Sequence, residues 1–225
     1  MFNKYEEGKF TNQQVLQLAK NAYKNGELDY TINPTKCALL VIDMQNEFVK
    51  PHWTPDWVPD ATHKVPKIKQ LIEHCRQNNI PVIYTIYSDT HQYHDRPVTG
   101  KHMPGRYTEV NIDTSHFYKN SEVWHEIAPK PDEVVIRKCS YGGFYDTPLE
   151  TILKNMGKDT VIITGVIASY CCSMTARQAY ERSFKVIYGS DLCGADCPEL
   201  LEYELMVMRK GFAKVMSLDE IIDIL

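Results

Sequence analysis

Short apolar runs, each followed by a stretch of helical periodicity, recur along the chain and limit its fold more than any other feature. The runs ALLVI at 38–42 and TVIIT at 160–164 lack the alternation of a strand with one solvated face. Such strands are buried on both faces, as in parallel sheets covered by helices. The pattern predicts an α/β fold, a three-layer α/β/α sandwich around a mostly parallel central sheet. Strands are predicted at 38–42, 81–87, 133–137, 160–164, 185–188 and 213–216, and helices at 12–25, 65–78, 147–156, 171–183, 198–210 and after the last strand.

The length of the chain and the lack of linker segments indicate its domain organisation. The chain has 225 residues and shows no internal repeat or linker, so a single core is expected. We predict an N-terminal arm with a helix at 1–34 and one domain at 35–225. Residues 88–131 are irregular and rich in His, Pro, Gly, Tyr and Asp, and a loop of that length usually covers or lines a site.

Composition excludes several classes of partner. A formal net charge of -4 and a pI of about 6.1 provide no basic patch for nucleic acid or for an acidic membrane surface. No stretch approaches the roughly 18–20 apolar residues of a membrane span. The first residues lack the apolar core of a secretory signal, so we expect a cytoplasmic protein. The seven cysteines are odd in number and lack CxxC spacing, which argues against a disulfide framework and a structural zinc site.

Chemically active side chains follow three of the predicted strands. Asp43 follows the first strand, Lys138 follows the third, and the fourth leads through Gly165 to Cys171. In a parallel sheet the carboxyl ends of the strands share one edge, where ligands bind. An acid, a cation and a thiol are therefore expected to meet there, although each residue alone is more often a strand cap, a surface charge or core filler.

Two adjacent cysteines open the helix predicted at 171–183. A thiol at a helix N-terminus is favoured as thiolate by unpaired backbone N–H groups and the helix dipole, and such a thiol should react readily with iodoacetamide. Helical phase separates the two residues, because Cys172 lies on a stripe of small residues suited to packing on the sheet, whereas Cys171 lies on a polar stripe. Cys171 is therefore the better nucleophile.

Three linked segments indicate a family. LLVIDMQNEF, RKCSYGGFYDTPLETIL and TGVIASYCCSMTARQAYERSFKVIYGSDLCGA resemble, in order and spacing, the isochorismatase-like cysteine hydrolases. This superfamily includes nicotinamidases, biuret and ureidoacrylate amidohydrolases, maleamate amidase and streptothricin hydrolase. The resemblance covers about residues 35–220. It implies the three-layer fold and a cysteine amidohydrolase that cleaves a small non-peptide amide or ureide C–N bond through a thioester.

The resemblance also implies roles for individual residues. In the D-x-Q-x-x-F element Asp43 is the catalytic acid and base and Phe48 lines the pocket, while Lys138 stabilises the thiolate of the nucleophile Cys171. A cis peptide bond is implied before Ile167. The N–H groups of Ile167 and Cys171 would then form an oxyanion hole.

A metal site and the substrate pocket are predicted only in outline. Nicotinamidases of the superfamily bind a divalent ion through an Asp-x-His element and further histidines. Here Asp89 and His91 match the first pair, but the spacing to His94 departs from that pattern, so we expect no metal and no other cofactor. The side chains predicted to line the substrate pocket are Phe48, Trp53, Trp57, His91, Arg106 and Tyr141.

Alternatives to this amidohydrolase differ in chemistry. A nicotinamidase-type deamidase would contain a metal, a true isochorismatase would cleave a vinyl ether without a cysteine nucleophile, and a non-catalytic member would serve as a binding or assembly module. Retention of all three triad residues argues against the last two. The expected partners are a small-molecule amide and further copies of the chain in a homo-oligomer, a dimer or tetramer, which the amphipathic stretch QQVLQLAKNAY would support.

Overall fold

Six strands form one central sheet in the computed structural model, which describes residues 11, 13–14, 17, 30–88, 94–99 and 117–225. The strands are β1 (Cys37–Ile42), β2 (Val82–Tyr87), β3 (Val134–Lys138), β4 (Thr160–Val166), β5 (Lys185–Gly194) and β6 (Lys214–Met216). They lie in the order β3-β2-β1-β4-β5-β6, and every adjacent pair is parallel. The helices are α1 (Asn46–Val49), α2 (Pro59–Gln77), α3 (Phe117–Asn120), α4 (Leu149–Asn155), α5 (Ser173–Glu181), α6 (Pro198–Gly211) and α7 (Leu218–Ile224), with a π-helical turn at Ala168–Cys172 directly before α5.

The two faces of the sheet are covered by different helices. Along β1 alternate side chains enter opposite cores: Leu39 and Val41 pack with α2 and α7, whereas Leu40 and Ile42 pack with α4, α5 and α6. All residues of β1 are buried, and each fully buried aliphatic side chain of this kind contributes about 1.5–3 kcal/mol relative to exposure. The predicted three-layer α/β/α sandwich is confirmed, and its sheet is parallel throughout.

Strand β5 is longer than the sequence predicts. The predicted strand ends at 188, but β5 continues to Gly194. The register between β4 and β5 shifts at an irregularity, and pairing resumes with Gly165 opposite Cys193. A bulge of this kind bends a strand without ending it. The second half of β5 contains polar residues, so its sequence does not resemble a buried strand. The extension runs beside the end of β4, where the chain turns toward Cys171.

The predicted helices differ from the observed ones mainly at their starts. Helix α2 begins at Pro59 instead of 65, because proline is favoured in the first helical turn and the carboxylate of Asp60 lies beside the positive end of the helix dipole. The helix predicted at 12–25 lies almost wholly outside the described residues. None of the described helices is long and apolar enough to span a bilayer.

Gly165→Ala is expected to destabilise the fold strongly. Gly165 has a φ of 119°, and a Cβ there would lie 2.0 Å from the backbone oxygen of Ile42 on β1. The backbone at Ile42 cannot move away without disrupting the β1–β4 pairing. We therefore expect the free energy of unfolding to fall by about 3 kcal/mol or more. Gly211→Ala is the matched control, since nothing lies within 4 Å of the Cβ it would gain. Chemical denaturation compares the two, and equal stabilities would show that the sheet accepts a side chain at 165.

Candidate active site

Asp43, Lys138 and Cys171 converge at the carboxyl edge of the sheet. The Lys138 Nζ lies 2.6 Å from Asp43 Oδ2 and 3.5 Å from Cys171 Sγ. It also donates a hydrogen bond to the carbonyl oxygen of Ser140 at 2.9 Å. The side chains of Asp43 and Lys138 are fully buried, and Cys171 is 6% exposed. The structure thus brings together the acid, the cation and the thiol that the strand ends predict.

The central strands place the acid and the cation. Strand β2 lies between β1 and β3, and its last residue, Tyr87, is paired with Lys138. The Asp43 N–H donates to the Thr85 carbonyl at 3.1 Å, and Asp43 Oδ1 accepts a hydrogen bond from Thr85 Oγ1 at 2.8 Å. Thr85 therefore fixes one carboxylate oxygen while Lys138 binds the other. Sequence reasoning missed Thr85, because only the strand order shows that β2 separates the two charged residues.

The thiol stands on the π-helical turn and not on the first turn of a regular α-helix. The N–H of the last residue of this turn donates to the Ile167 carbonyl at 3.2 Å. The buried Tyr188 hydroxyl on β5 donates to the carbonyl of Ala168, the first residue of the turn, at 2.7 Å. The peptide bond between Val166 and Ile167 is cis. Single π-helical turns are frequent at functional sites, and this one carries Cys171 from the end of β4 to the side of the lysine.

A hydrogen-bonded link holds the loop after β3 against the helix that follows the thiol. Thr175 Oγ1 accepts from the Gly143 N–H at 2.9 Å and donates to the Cys171 carbonyl at 2.7 Å. One turn further along α5, Gln178 Oε1 accepts from the Phe144 N–H at 3.1 Å. The polar stripe that the helical phase assigns to the side of Cys171 therefore holds the loop that follows Lys138 in place.

The ionisation of the site differs from the sequence expectation. Burial raises the pKa of the Cys171 thiol to about 12, and the Asp43 carboxylate adds to this rise while Lys138 opposes it. Burial lowers the pKa of Lys138, but the neighbouring Asp43 and Cys171 outweigh that effect, so the net shift is upward. Burial therefore favours the protonated thiol in the resting site and opposes the thiolate that the helix N-terminus favours, because the sequence shows the position of the thiol but not its burial. The reactivity of Cys171 toward iodoacetamide stays a prediction.

The second cysteine lies on the other side of the turn, as helical phase predicts. Cys172 is fully buried, and its side chain contacts Cys193 on β5. Burial raises its pKa well above the usual value, and the contact with Cys193 adds to the rise. Cys172 is thus a core residue, which leaves Cys171 as the thiol of the site.

Two pairs of aromatic side chains lie close to Lys138 and to the residue before Cys171. The ring centroids of Phe48 and Tyr87 are 6.4 Å apart, and Lys138 Nζ lies 5.1 Å from the Tyr87 centroid. Tyr141 packs against Tyr170, which directly precedes Cys171, with ring centroids 5.5 Å apart. Phe48 and Tyr141, both predicted to line the pocket, therefore lie beside the site. Tyr87 was missed, although its position at the end of a central strand would have identified it.

The two tryptophans predicted to line the pocket have structural contacts. Trp53 Nε1 donates to Asn120 Oδ1 at 2.8 Å, which ties the segment after α1 to α3. Trp57 Nε1 donates to Thr62 Oγ1 at 2.9 Å, and its ring lies 4.4 Å from that of His52. No described contact joins Trp57 to the three site residues. A role of either tryptophan in substrate binding stays a prediction.

The remaining predicted residues belong to the irregular region. Asp89, His91 and Arg106 lie outside the described residues, and His94 is exposed. Within the part of the chain that the structure describes, no three His, Cys, Asp or Glu side chains are grouped so as to hold a metal ion. The expectation that the protein binds no metal stays a prediction.

Two further charged side chains adjoin the site and were not predicted. The Arg96 guanidinium carbon lies 4.7 Å from the Tyr87 ring centroid. Glu47, within the D-x-Q-x-x-F element, accepts a hydrogen bond on Oε2 from Gln45 Nε2 at 2.8 Å. Burial raises the pKa of Glu47 to about 7, and neighbouring carboxylates add to the rise. Arg96 therefore lies over the same aromatic ring as Lys138, and Glu47 is joined to the strand end that carries this ring through Gln45.

The fold and the site together define a parallel α/β protein with a buried acid, lysine and cysteine at the carboxyl edge of its sheet. Residues 37–220 match the family model described as the Isochorismatase domain. The chain belongs to the isochorismatase family, whose members are hydrolases and include amidases.

Proteins similar to this chain include a nicotinamidase, a component of enterobactin synthase and a cysteine hydrolase. Nicotinamidase 3 of Arabidopsis thaliana is 32% identical over 194 residues, which cover 84% of this chain and 88% of that protein. Enterobactin synthase component B of Escherichia coli (strain K12) is 31% identical over 166 residues, which cover 73% of this chain but only 55% of the relative, so the chain spans about half of its length. The crystal structure of a cysteine hydrolase from Pseudomonas syringae pv. phaseolicola 1448A has a TM-score of 0.75 at 26% identity, and the match covers 88% of this chain and 96% of that one.

Proposed function

We propose that this chain is a cysteine amidohydrolase that cleaves a small non-peptide amide or ureide bond through a thioester on Cys171. The main support is the contact set of Lys138, whose Nζ lies 2.6 Å from an Asp43 carboxylate oxygen and 3.5 Å from the Cys171 sulfur. Such a charge network in a buried site is typical of catalysis. The similarity to nicotinamidase 3, an amidase by name, and to a cysteine hydrolase agrees with the proposal.

The raised pKa of Cys171 assigns a task to Asp43. Because the thiol is protonated at neutral pH, it needs a base at the moment of attack, and the carboxylate of Asp43 adjoins it. The thiol proton passes to Asp43 as the sulfur forms a bond to the substrate carbonyl carbon. The Lys138 ammonium then offsets the negative charge that develops at the sulfur and holds the acid in place.

In the later steps Asp43 acts first as an acid and then again as a base. The N–H groups of Ile167 and Cys171, at the turn that opens α5, hold the oxyanion of the tetrahedral intermediate. Asp43 gives its proton to the departing nitrogen, the C–N bond breaks, and the acyl group stays on the sulfur. Water then gives a proton to Asp43 and attacks the thioester carbon. The C–S bond breaks, the acid product leaves, and the proton returns to the thiol.

An ammonia-release screen over small amides and ureides tests this proposal. We expect at least one compound to release ammonia with the wild-type protein and none with Cys171→Ala. Isochorismate serves as the comparison without a C–N bond to hydrolyse. Turnover of isochorismate that persists in Cys171→Ala, together with no ammonia from any amide, would contradict the proposal and favour vinyl ether cleavage.

A further inference from the structure

We propose that the backbone of Glu122–Trp124, the acid clamp, is a positioning element that holds Asp43 in the conformation needed for proton transfer with Cys171. The acid clamp acts on Asp43 through Met44–Asn46, the turn that follows strand β1. This inference rests on the proposed function, since it assigns a positioning role to a segment of the same site.

The backbone of Asp43 adopts a conformation that is uncommon for a residue with a side chain. Its φ is 51°, in the left-handed region, which costs a non-glycine residue about 1 kcal/mol. Strand β1 ends at Ile42, and the Gln45 N–H donates to the Asp43 carbonyl at 2.8 Å, so the chain turns sharply at the acid. Such a conformation persists where the surrounding contacts hold it. The contacts of the turn therefore contribute to the position of the carboxylate.

Two backbone hydrogen bonds join the acid clamp to the turn. The Trp124 N–H donates to the Met44 carbonyl at 2.8 Å, and the Asn46 N–H donates to the Glu122 carbonyl at 2.8 Å. Between these two bonds the segments form one antiparallel bridge. The side chain of Trp124 packs against the core that includes Met44. The acid clamp is thus fixed to the core and paired with the residues directly after Asp43.

The opposite side of the turn is tied to strand β2. Gln45 is fully buried, and its Nε2 donates to the Tyr87 carbonyl at 2.8 Å while its Oε1 accepts from the Tyr87 N–H at 2.8 Å. The turn is therefore held between the sheet on one side and the acid clamp on the other. Only the acid clamp belongs to the long stretch 88–131. Its release should let the backbone of Asp43 relax while the sheet stays intact.

The reactivity of Cys171 reports the position of Asp43 without any substrate. Burial raises the pKa of the Cys171 thiol, Lys138 opposes the rise, and the Asp43 carboxylate adds to it. If the carboxylate moves away, the effect of Lys138 is no longer offset by Asp43, and alkylation of Cys171 should become faster at a given pH. The variant Asp43→Asn gives the size of the complete effect.

Proline can remove each hydrogen bond of the acid clamp at a position that accepts its ring. Trp124 has a φ of -53°, which lies within the range that the proline ring fixes. Asn46 is the first residue of α1 and follows an extended residue, and proline is favoured at such a position. Trp124→Ala and Asn46→Ala are the matched controls for Trp124→Pro and Asn46→Pro, since each loses the side chain but keeps the backbone N–H.

Two measurements compare each proline variant with its alanine control. In steady-state ammonia release, we expect kcat about tenfold or more below that of the control, with KM changed by less than about threefold. Alkylation by iodoacetamide at about pH 8 is followed for each cysteine by peptide mass spectrometry. We expect Cys171 to react about threefold or more faster than in the control, and in the direction of Asp43→Asn. The fully buried Cys172 should stay unlabelled.

The outcomes separate the acid clamp from the proposed function. If each proline variant matches its control, or if only one of kcat and Cys171 alkylation changes in an active enzyme, the inference is wrong and the proposed function stands. Labelling of Cys172 together with Cys171 would show that the fold around the thiol has opened, which also overturns the inference. If the alkylation rates change as expected but no compound in the screen releases ammonia, the acid clamp positions Asp43 and the proposed function is wrong.

Discussion

Cys171→Ala is expected to lower amide turnover by at least about 10⁴-fold, because alanine cannot form the covalent intermediate and little catalysis remains without the nucleophile. The protein should stay folded. Cys171 faces the site at the edge of the core and is 6% exposed, so the loss of its sulfur should cost about 1 kcal/mol of unfolding free energy or less. Steady-state ammonia release and urea denaturation measure the two effects separately.

Cys172→Ala provides the matched control in the adjacent residue. Cys172 is fully buried beside Cys193, so its truncation leaves a cavity in the core and should cost about 1–2 kcal/mol. Its side chain contacts Cys193, whereas Lys138 contacts Cys171, so kcat should remain close to the wild-type value. The two variants are therefore expected to show opposite patterns of activity and stability. An inactive Cys172→Ala beside an active Cys171→Ala would overturn the choice of nucleophile.

The sheet could be predicted because its strands are apolar on both faces. Runs such as that of β1 are typical of strands in a parallel sheet that is covered on both sides. The length of β5 could not be predicted in the same way, because its continuation beyond 188 depends on a register shift against β4. That shift arises from the pairing of the two strands. In the sequence of β5 it is accompanied only by polar residues and glycines, which are equally typical of a loop.

The triad could be predicted because strand ends of a parallel sheet share one edge. Asp43 and Lys138 lie at strand ends, and Cys171 follows the end of β4 through a short turn, so topology predicts that all three approach the same edge. The protonation state could not be predicted, since the pKa of Cys171 depends on burial and on Asp43 as well as on Lys138. Arg96 was missed because it belongs to an irregular segment, where neither periodicity nor motif spacing shows which arginine approaches the site.

Lys138→Met is expected to lower the free energy of unfolding by about 3–5 kcal/mol, because it leaves the Asp43 carboxylate buried without its partner. Both side chains of the Asp43–Lys138 pair have no solvent exposure, so water cannot replace the lost cation. Lys154→Met is the matched control. Lys154 pairs with Glu150 on the surface, where the lysine side chain is 62% exposed, and loss of such a pair should change the free energy of unfolding only slightly.

The double variant Asp43→Asn with Lys138→Met distinguishes an unpaired charge from lost packing. Without a buried carboxylate it should recover much of the stability that Lys138→Met loses, although both proteins should be inactive. Chemical denaturation of the two variants beside the wild-type protein measures both deficits. A deficit of equal size in both variants would show that the carboxylate does not depend on the lysine for its burial.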